Sequence, residues 1–318
     1  MSVREANLNK ILASNRSEER SAERSFVRRH RWSLAGVAVA TSATVGFVAV
    51  FTLGPTAQPA YAVTPNPLSY SHTGDPAAPV LEEIAEEAER VSTKTPSGEN
   101  GSQYFEQESW SLSTRIDGIQ VTSAIVPERR ETWTKPDGSA RWKVRTQPPE
   151  FENPSQRDEW EDAGSIGEES QEYADSRGPA DPSDPRNQPA PTDPAAMGKW
   201  LSLGYQNPGR GEIFDSVSER NLDRIFSLTQ RTALLRHLAT LDGVAYRGSV
   251  KDRSGRPGEA FSVRSSYGGL PKVQTLIFDS RTARLLAYEE ELTTDAGKLN
   301  VKVPAVVLYV TYLEARPA

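Results

Sequence analysis

The 318-residue chain has no cysteine, three histidines and two methionines. Without a thiol there is no disulfide, no thiolate nucleophile, no cysteine-ligated zinc and no lipidated cysteine. His30, His72 and His237 stand too far apart for a helical or short-loop metal pair. Charge is also missing over a long window: Trp32 to Gly74 contains no Asp, Glu, Lys or Arg in 43 residues. Elsewhere charge is plentiful but uneven. Residues 1–31 carry eight basic and four acidic side chains, and residues 148–198 carry thirteen acidic and three basic. These two stretches account for the whole formal charge of -6, so the remainder is neutral. A neutral body with a basic head and an acidic insert is not a nucleic-acid-binding profile.

The first part of the uncharged window, residues 32–53, is a run of 22 residues. As a helix it would span roughly 33 Å at about 1.5 Å per residue, the thickness of a hydrocarbon core. Gly54-Pro55 supplies a stop, and the hydroxyls of Ser33, Thr41, Ser42, Thr44 and Thr52 can bond back to helix carbonyls. A buried core helix is excluded by the length and all-round apolarity. Arg28, Arg29 and Arg31 crowd the upstream end, and no Lys or Arg follows until Arg90. The positive-inside rule then predicts a single-pass anchor in the cell membrane, N-terminus cytoplasmic and C-terminal bulk extracytoplasmic. A cleaved signal peptide is the competing expectation, because Ala60-Tyr61-Ala62 fits a small-x-small site with cleavage before Val63. The 31-residue head and the length of the apolar run favour the uncleaved anchor.

The pattern divides the chain into a basic cytoplasmic arm (1–31), a transmembrane helix (32–53), a Pro-rich stalk (54–75), and an α+β domain in two parts (76–147 and 199–316). An acidic, Pro-rich, disordered insert (148–198) separates the two parts. The arm is read chiefly as a solvated segment that touches anionic lipid heads, with a docking peptide as the alternative. Pro76 to Lys94 reads as a helix capped by Asp75, with Val80, Leu81, Ile84, Ala85, Ala88 and Val91 on one stripe. Four strands follow: 104–115, 119–126, 129–135 and 140–145, with turns at Asp117-Gly118 and Asp137-Gly138. Trp110, Trp133 and Trp142 are expected to cover one face of this meander.

The insert has nine prolines and three aromatics, too little apolar area to offset chain entropy. After it, Ser216-Val217-Ser218-Glu219 has capping-box spacing before Leu222, Ile225 and Phe226, which predicts a helix starting there. A second helix is expected at 230–241, ended by Gly243, with Leu234, Leu235 and Leu238 inward and His237 on the helix surface or half-buried. Strands are then expected at 244–252, 259–266, 272–278 and 284–292. The final segment, 298–314, is apolar on both sides near its end, as a central strand would be. The predicted fold is α+β: a curved antiparallel sheet packed on helices.

Each catalytic template fails. The histidines beyond the membrane run lie in the stalk and in a helix, there is no Gly-x-Ser-x-Gly, and no phosphate loop. Ser254–Gly258 reads as a turn, and Tyr267–Pro271 as a loop. Adjacent strand residues alternate faces, so Glu289, Glu290 and Glu291 cannot converge on one substrate. The Asp-Pro steps at Asp181, Asp184 and Asp193 lack calcium-loop spacing. No catalytic, cofactor-binding or metal residue is therefore expected, and the reading is non-enzymatic.

Three stretches carry a resemblance: 59–65 (PAYAVTP), 111–115 (SLSTR) and 292–306 (LTTDAGKLNVKVPAV), together with Gly243–Tyr246, Phe278-Asp279 and Leu285–Glu290. They resemble an uncharacterised actinobacterial family of single-pass membrane proteins, often encoded beside extracytoplasmic-function sigma factors, over residues 28–147 and 198–314. That resemblance implies, by fold analogy, a lipoprotein-carrier-like half-barrel sheet, and a membrane-anchored sensor or regulator with a cytoplasmic sigma-factor or anti-sigma partner. The alternative is a carrier of a lipid-like ligand. Membrane lipids are the other expected partner; no cofactor is implied.

Overall fold

A computed structural model describes residues 61–71, 74–91, 101–117, 120–162 and 170–318. The expected cytoplasmic arm, the apolar run and residues 54–60 and 72–73 of the expected stalk lie outside the described residues, as does the Asp117-Gly118 turn beyond its first residue. Among the described residues no helix is long and apolar enough to cross a membrane.

The architecture is a nine-stranded, wholly antiparallel open sheet with helices on one face. In chain order the elements are α1 (Ala77–Val91), β1 (Gln103–Asp117), β2 (Gln120–Thr134), β3 (Ala140–Thr146), α2 (Pro154–Asp162) and β4 (Glu172–Arg177). A 3-10 turn at 185–187 leads to α3 (Pro194–Leu201), α4 (Arg210–Arg220) and α5 (Leu228–Ala239). The chain ends with β5 (Ala245–Lys251), β6 (Pro257–Ser265), β7 (Lys272–Phe278), β8 (Leu285–Leu292) and β9 (Ala305–Pro317). The strand order is β4-β3-β2-β1-β9-β8-β7-β6-β5, so the last strand is the middle one, as its two-sided apolarity predicts.

Helix starts follow from capping chemistry. Asp193 accepts from Ala196 N at 2.8 Å with Pro194 in the first turn, and Ser227 and Gln230 form a reciprocal box at the start of α5. The Ser216–Glu219 box does not open a helix. Ser216 and Ser218 are buried inside α4, which starts earlier and ends at Asn221. Tertiary packing decides here: Ile213, Phe214 and Val217 form the stripe that reaches the core. Helix α1 begins at Ala77, one residue later than expected, because Pro76 bridges to Ala245 at the edge of β5. Its stripe of Leu81, Ile84, Ala85 and Ala88 packs with α5 through Leu234, Leu235 and Leu238. Arg236 closes that seam by pairing with Glu82 and, through both nitrogens of its fork, with Glu89.

The main core lies between these helices and one face of β6–β9, the inner face, with Phe261, Leu276, Phe278, Tyr288 and Val310. On the outer face, Leu68 and Tyr70 cover Val250, Ala260 and Ile277, while Ala62 joins Leu112, Ile125 and Val307. Part of the expected stalk is therefore docked chain: Ala62 N donates to Asn300 O at 3.0 Å, and Ser71 N to Ser249 O at 3.1 Å. The approach at Ser71 requires glycine in β5, since a Cβ on Gly248 would sit 1.9 Å from the Ser71 carbonyl.

Three further expectations are corrected. The first is the break near Pro127: β2 runs unbroken from Gln120 to Thr134. Pro127 O accepts from Gln147 N, just past the end of β3. A strand residue's N and O point to the same side, so the missing Pro127 N–H costs the β1 ladder nothing. The second is the tryptophan face. Trp110 and Trp133 stand on the outer face, but Trp142 pairs opposite Thr132 and stands on the inner one.

The third is the disordered insert. Within 148–198 the chain forms α2, β4, a 3-10 turn and the start of α3, and only 163–169 fall outside the described residues. Few but well-placed anchors account for it. Trp160 packs with Phe151 on Ala124 and Val126, Asn153 accepts from Gln156 N, and Glu172 pairs with Lys143 and Arg145 across the β3–β4 ladder. Charged, exposed β4 also blunts this sheet edge. Hydrogen exchange tests the order: alternate amides in residues 172–177 should exchange at least tenfold more slowly than an unstructured chain, and free exchange throughout would restore the disordered reading.

Candidate functional site

Strand alternation sorts the acidic triplet of β8. Glu289 lies on the outer face against Arg253, 2.5 Å away, and Arg253 also reaches Asn66 O and stacks 4.9 Å over Tyr309. Burial raises the Glu289 pKa, with Arg253 opposing. Glu290 points inward to Lys272, with Nζ and Oε2 2.7 Å apart and both side chains 3 % exposed. The three carboxylates do not converge, as the period-2 argument requires.

Around Lys272–Glu290 the inner face builds a continuous polar network. Tyr288 donates to Glu290 Oε1 at 2.7 Å, and Gln274 Nε2 donates to Tyr288 Oη and to Gly211 O. Ser265 donates to Gln274 Oε1 at 2.6 Å. Gly211 permits the close seat of α4 on the sheet, because a Cβ there would lie 2.6 Å from Ser265 Cβ. One turn further along α4, Asp215 accepts from Tyr205 Oη at 3.0 Å, and the Tyr205 and Tyr267 rings meet edge-on at 6.0 Å. Burial first, then the charges of Glu219 and Glu290, push Asp215 up to about 7 against the pull of Lys272. Near neutrality this site therefore holds one titratable proton. Burial likewise raises the phenols of Tyr205, Tyr267 and Tyr288.

A second inner-face feature lies on β1–β3. Cross-strand partners share a face, so Gln107, Ser109 and Ser111 line up with Arg130, Glu128 and Val126. Gln107 donates to Leu222 O, which closes one end, and Trp160 on Ala124 and Val126 closes the other. Arg130 stacks 4.7 Å over Trp142. Burial pushes Glu128 up to about 7, with Arg130 opposing. Ser111 Oγ and Glu128 Oε2 are buried there with no hydrogen-bond partner; Thr134 Oγ1 is likewise unpartnered but lies beyond the Gln107 end, opposite Gln103.

Other residues singled out in the sequence play no chemical part in these clusters. The His237 ring packs where Gly198 leaves room, its Nε2 has no partner, and burial lowers its pKa. Of Ser254–Gly258, the first three residues belong to the β5–β6 turn and Pro257 and Gly258 open β6; the turn is organised by Asp252, which accepts from Ser254 N, Arg256 N and Arg256 Nε. Asp181, Asp184 and Asp193 serve turns and a helix cap. Among the described residues no three His, Asp or Glu side chains are grouped to hold a metal. The Lys272–Glu290–Asp215 network leaves a faint trace in the sequence: Lys272 opens the apolar and β-branched run to Phe278, and long charged side chains buried in such strands are paired.

No family model matches the chain, and no curated protein matches it. A solved structure of a putative outer membrane lipoprotein-sorting protein domain from Vibrio parahaemolyticus aligns with 75 % of this chain and 92 % of that one, at 9 % identity and a TM-score of 0.16. A likeness of that size establishes neither a shared fold nor a shared ligand.

Removing Lys272 leaves Glu290 buried without its cation, so K272M should destabilise the protein by about 3–5 kcal/mol. The K272M/E290Q double variant should recover most of that loss in a denaturant double-mutant cycle. Full additivity would show that the two do not interact. Asp215 binds its proton more tightly folded than unfolded, its ordinary value being 3.8. Its contribution to stability is therefore greatest below about pH 4 and is lost as pH rises towards about 7. Thermal midpoints of D215N across pH 4–7 should decline less with pH than those of the parent; identical slopes would remove Asp215 as the cause.

Proposed function

We propose that the protein is a membrane-anchored, non-enzymatic extracytoplasmic sensor or regulator. Its outer domain reads a polar ligand on the inner face of β1–β3, and its basic arm meets a cytoplasmic partner, a sigma factor or an anti-sigma protein. The observation that carries the ligand half is the pair of unmatched buried groups, Ser111 Oγ and Glu128 Oε2, close together on one face of one hairpin. Each unmet polar atom costs about 1–3 kcal/mol, and a ligand or ordered water with matching donors removes that cost.

The anchoring half rests on the uncharged run 32–53, the arginines before it and the eight residues that separate it from docked Ala62. The partner half rests on the family resemblance. The alternative, a half-barrel carrying an apolar ligand, has less support. On β6–β9 the inner face is already filled by Phe214, Leu235 and Leu238 against Phe261, Leu276 and Phe278, all fully buried.

The cysteine-free background provides a direct topology test. S14C and S254C are introduced singly in the full chain and treated with a membrane-impermeant maleimide on intact cells. The expected result is labelling at position 254 only, Ser254 being exposed in its turn. Labelling at neither position, or a released protein that starts at Val63, would overturn the anchored-sensor reading. Crosslinking from S14C in lysed cells should then capture a sigma or anti-sigma factor; capture of neither removes that partner.

A further inference from the structure

The outer face carries a cleft of about 440 Å³ beside the edge strand β5, lined by Arg210, Arg247 and Arg264 together with Tyr70, Tyr246 and Ser262. Its floor follows from register: Ala245 is opposite Ser262 and Arg264 opposite Val273, so these four stand on one face of β5–β7. Arg247 is the extra residue where β5 slips register between Tyr246 and Gly248. A bulge splays its side chain away from the ladder, and the guanidinium lies 4.8 Å over the Tyr70 ring. Arg210 enters from the first turn of α4, held by its Nε donating to Arg264 O at 3.0 Å. Three separate elements thus converge three guanidinium groups on one concavity.

None of the three pairs with a carboxylate among the described residues. Of the nearby acids, Glu259 accepts from Tyr246 Oη and Ser249 Oγ and Glu289 is paired with Arg253, while Glu291, opposite Val273, stands on the same outer face as a neighbouring negative charge. Elsewhere on this acidic chain arginines find counterions, as Arg129, Arg145, Arg177, Arg186, Arg236, Arg253 and Arg256 do. Three like charges gathered around a cleft repel one another, and an anion in the cleft turns that repulsion into attraction. Guanidinium forks match the oxygens of a phosphate, two at a time. The volume exceeds a bare phosphate and leaves room for a small polar group against Tyr70.

We propose that this cleft binds a phosphate ester, with Arg247 and Arg264 gripping the phosphate oxygens and Arg210 completing the cationic wall. The site lies on the face opposite the Glu128 and Asp215 clusters and does not depend on the anchored-sensor reading. Two sources share the chemistry, a free phosphate ester and a phospholipid headgroup.

Titration calorimetry on the detergent-solubilised full chain separates them, with glycerol 3-phosphate as one probe and dihexanoyl phosphatidylglycerol below its micelle concentration as the other. Saturable binding of at least one probe is expected, weakened at least tenfold by R247A and by R264A, but not by R281A, an exposed arginine remote from the cleft in sequence. R247K should recover only part of the loss, because lysine keeps the charge without the fork. Preference for the lipid probe assigns a headgroup site, and equal or better binding of glycerol 3-phosphate assigns a soluble ester. No saturable binding of either probe, or binding that R247A and R264A leave intact while their thermal midpoints match the parent, would overturn the proposal.

Discussion

The pairing of β9 with both β1 and β8 holds the sheet together. Strands β1 to β4 form one meander and β5 to β8 another, each built of neighbours in sequence. Among the described strands only β9 links them, with Ser109 opposite Val310 on one side and Tyr288 opposite the same Val310 on the other. Its partners on β1 lie about two hundred residues away along the chain, so the loop-closure entropy is large and is recovered only when the strand is buried on both faces. The sequence meets that demand: Val306, Val307, Tyr309, Val310 and Tyr312 are all buried. Arg256 secures the far end, donating to Tyr312 O and Leu286 O.

A strand buried on two faces imposes a second constraint, because every charge near it must find a partner. Glu289 and Glu290 of β8 face opposite ways and meet different cations, Arg253 outside and Lys272 inside. The inner cation is shared: Lys272 pairs with Glu290 and only partly offsets the burial and neighbouring carboxylates that push Asp215 up to about 7. A buried acid without a full counterion keeps its proton. The polar network therefore fixes α4 on the sheet at the cost of making stability depend on pH, whereas an apolar core of the same volume would not.

Sequence periodicity shows most of this C-terminal half. The bounds of β7 are those the pattern predicts, β5, β6 and β8 differ from it by one or two residues, and the two-sided apolarity of β9 marks its central place. The failures have distinct causes. In 148–198 composition argued for disorder, but order there depends on a few long-range anchors such as Trp160 on Val126, which composition averages away. At Ser216–Glu219 the local capping pattern was overridden by the burial of Ile213, Phe214 and Val217. Trp142 was misassigned because β3 was read without its register, and register alone fixes which face a strand residue occupies. The Arg247 cleft was invisible for a related reason: it depends on a one-residue bulge and on three elements far apart in sequence.

Two kinds of unmet demand remain, and the sheet keeps them apart. Orphaned acceptors and hydroxyls lie on the inner face at β1–β2, and uncompensated cations lie on the outer face at β5–β6. A shared ligand cannot satisfy both, since a sheet stands between them and seven strands run from β2 to β5. Any energetic coupling would have to pass along the ladder, and every ladder path between the two meanders crosses β9. Coupling of that kind needs an element with two arrangements. The register slips on either side of β9, between Glu106 and Gln107 and between Glu290 and Glu291, are where the ladder is already irregular. They lie next to Gln107 on one side and the Lys272–Glu290 pair on the other, so the irregular points of the ladder adjoin the polar residues of the inner face.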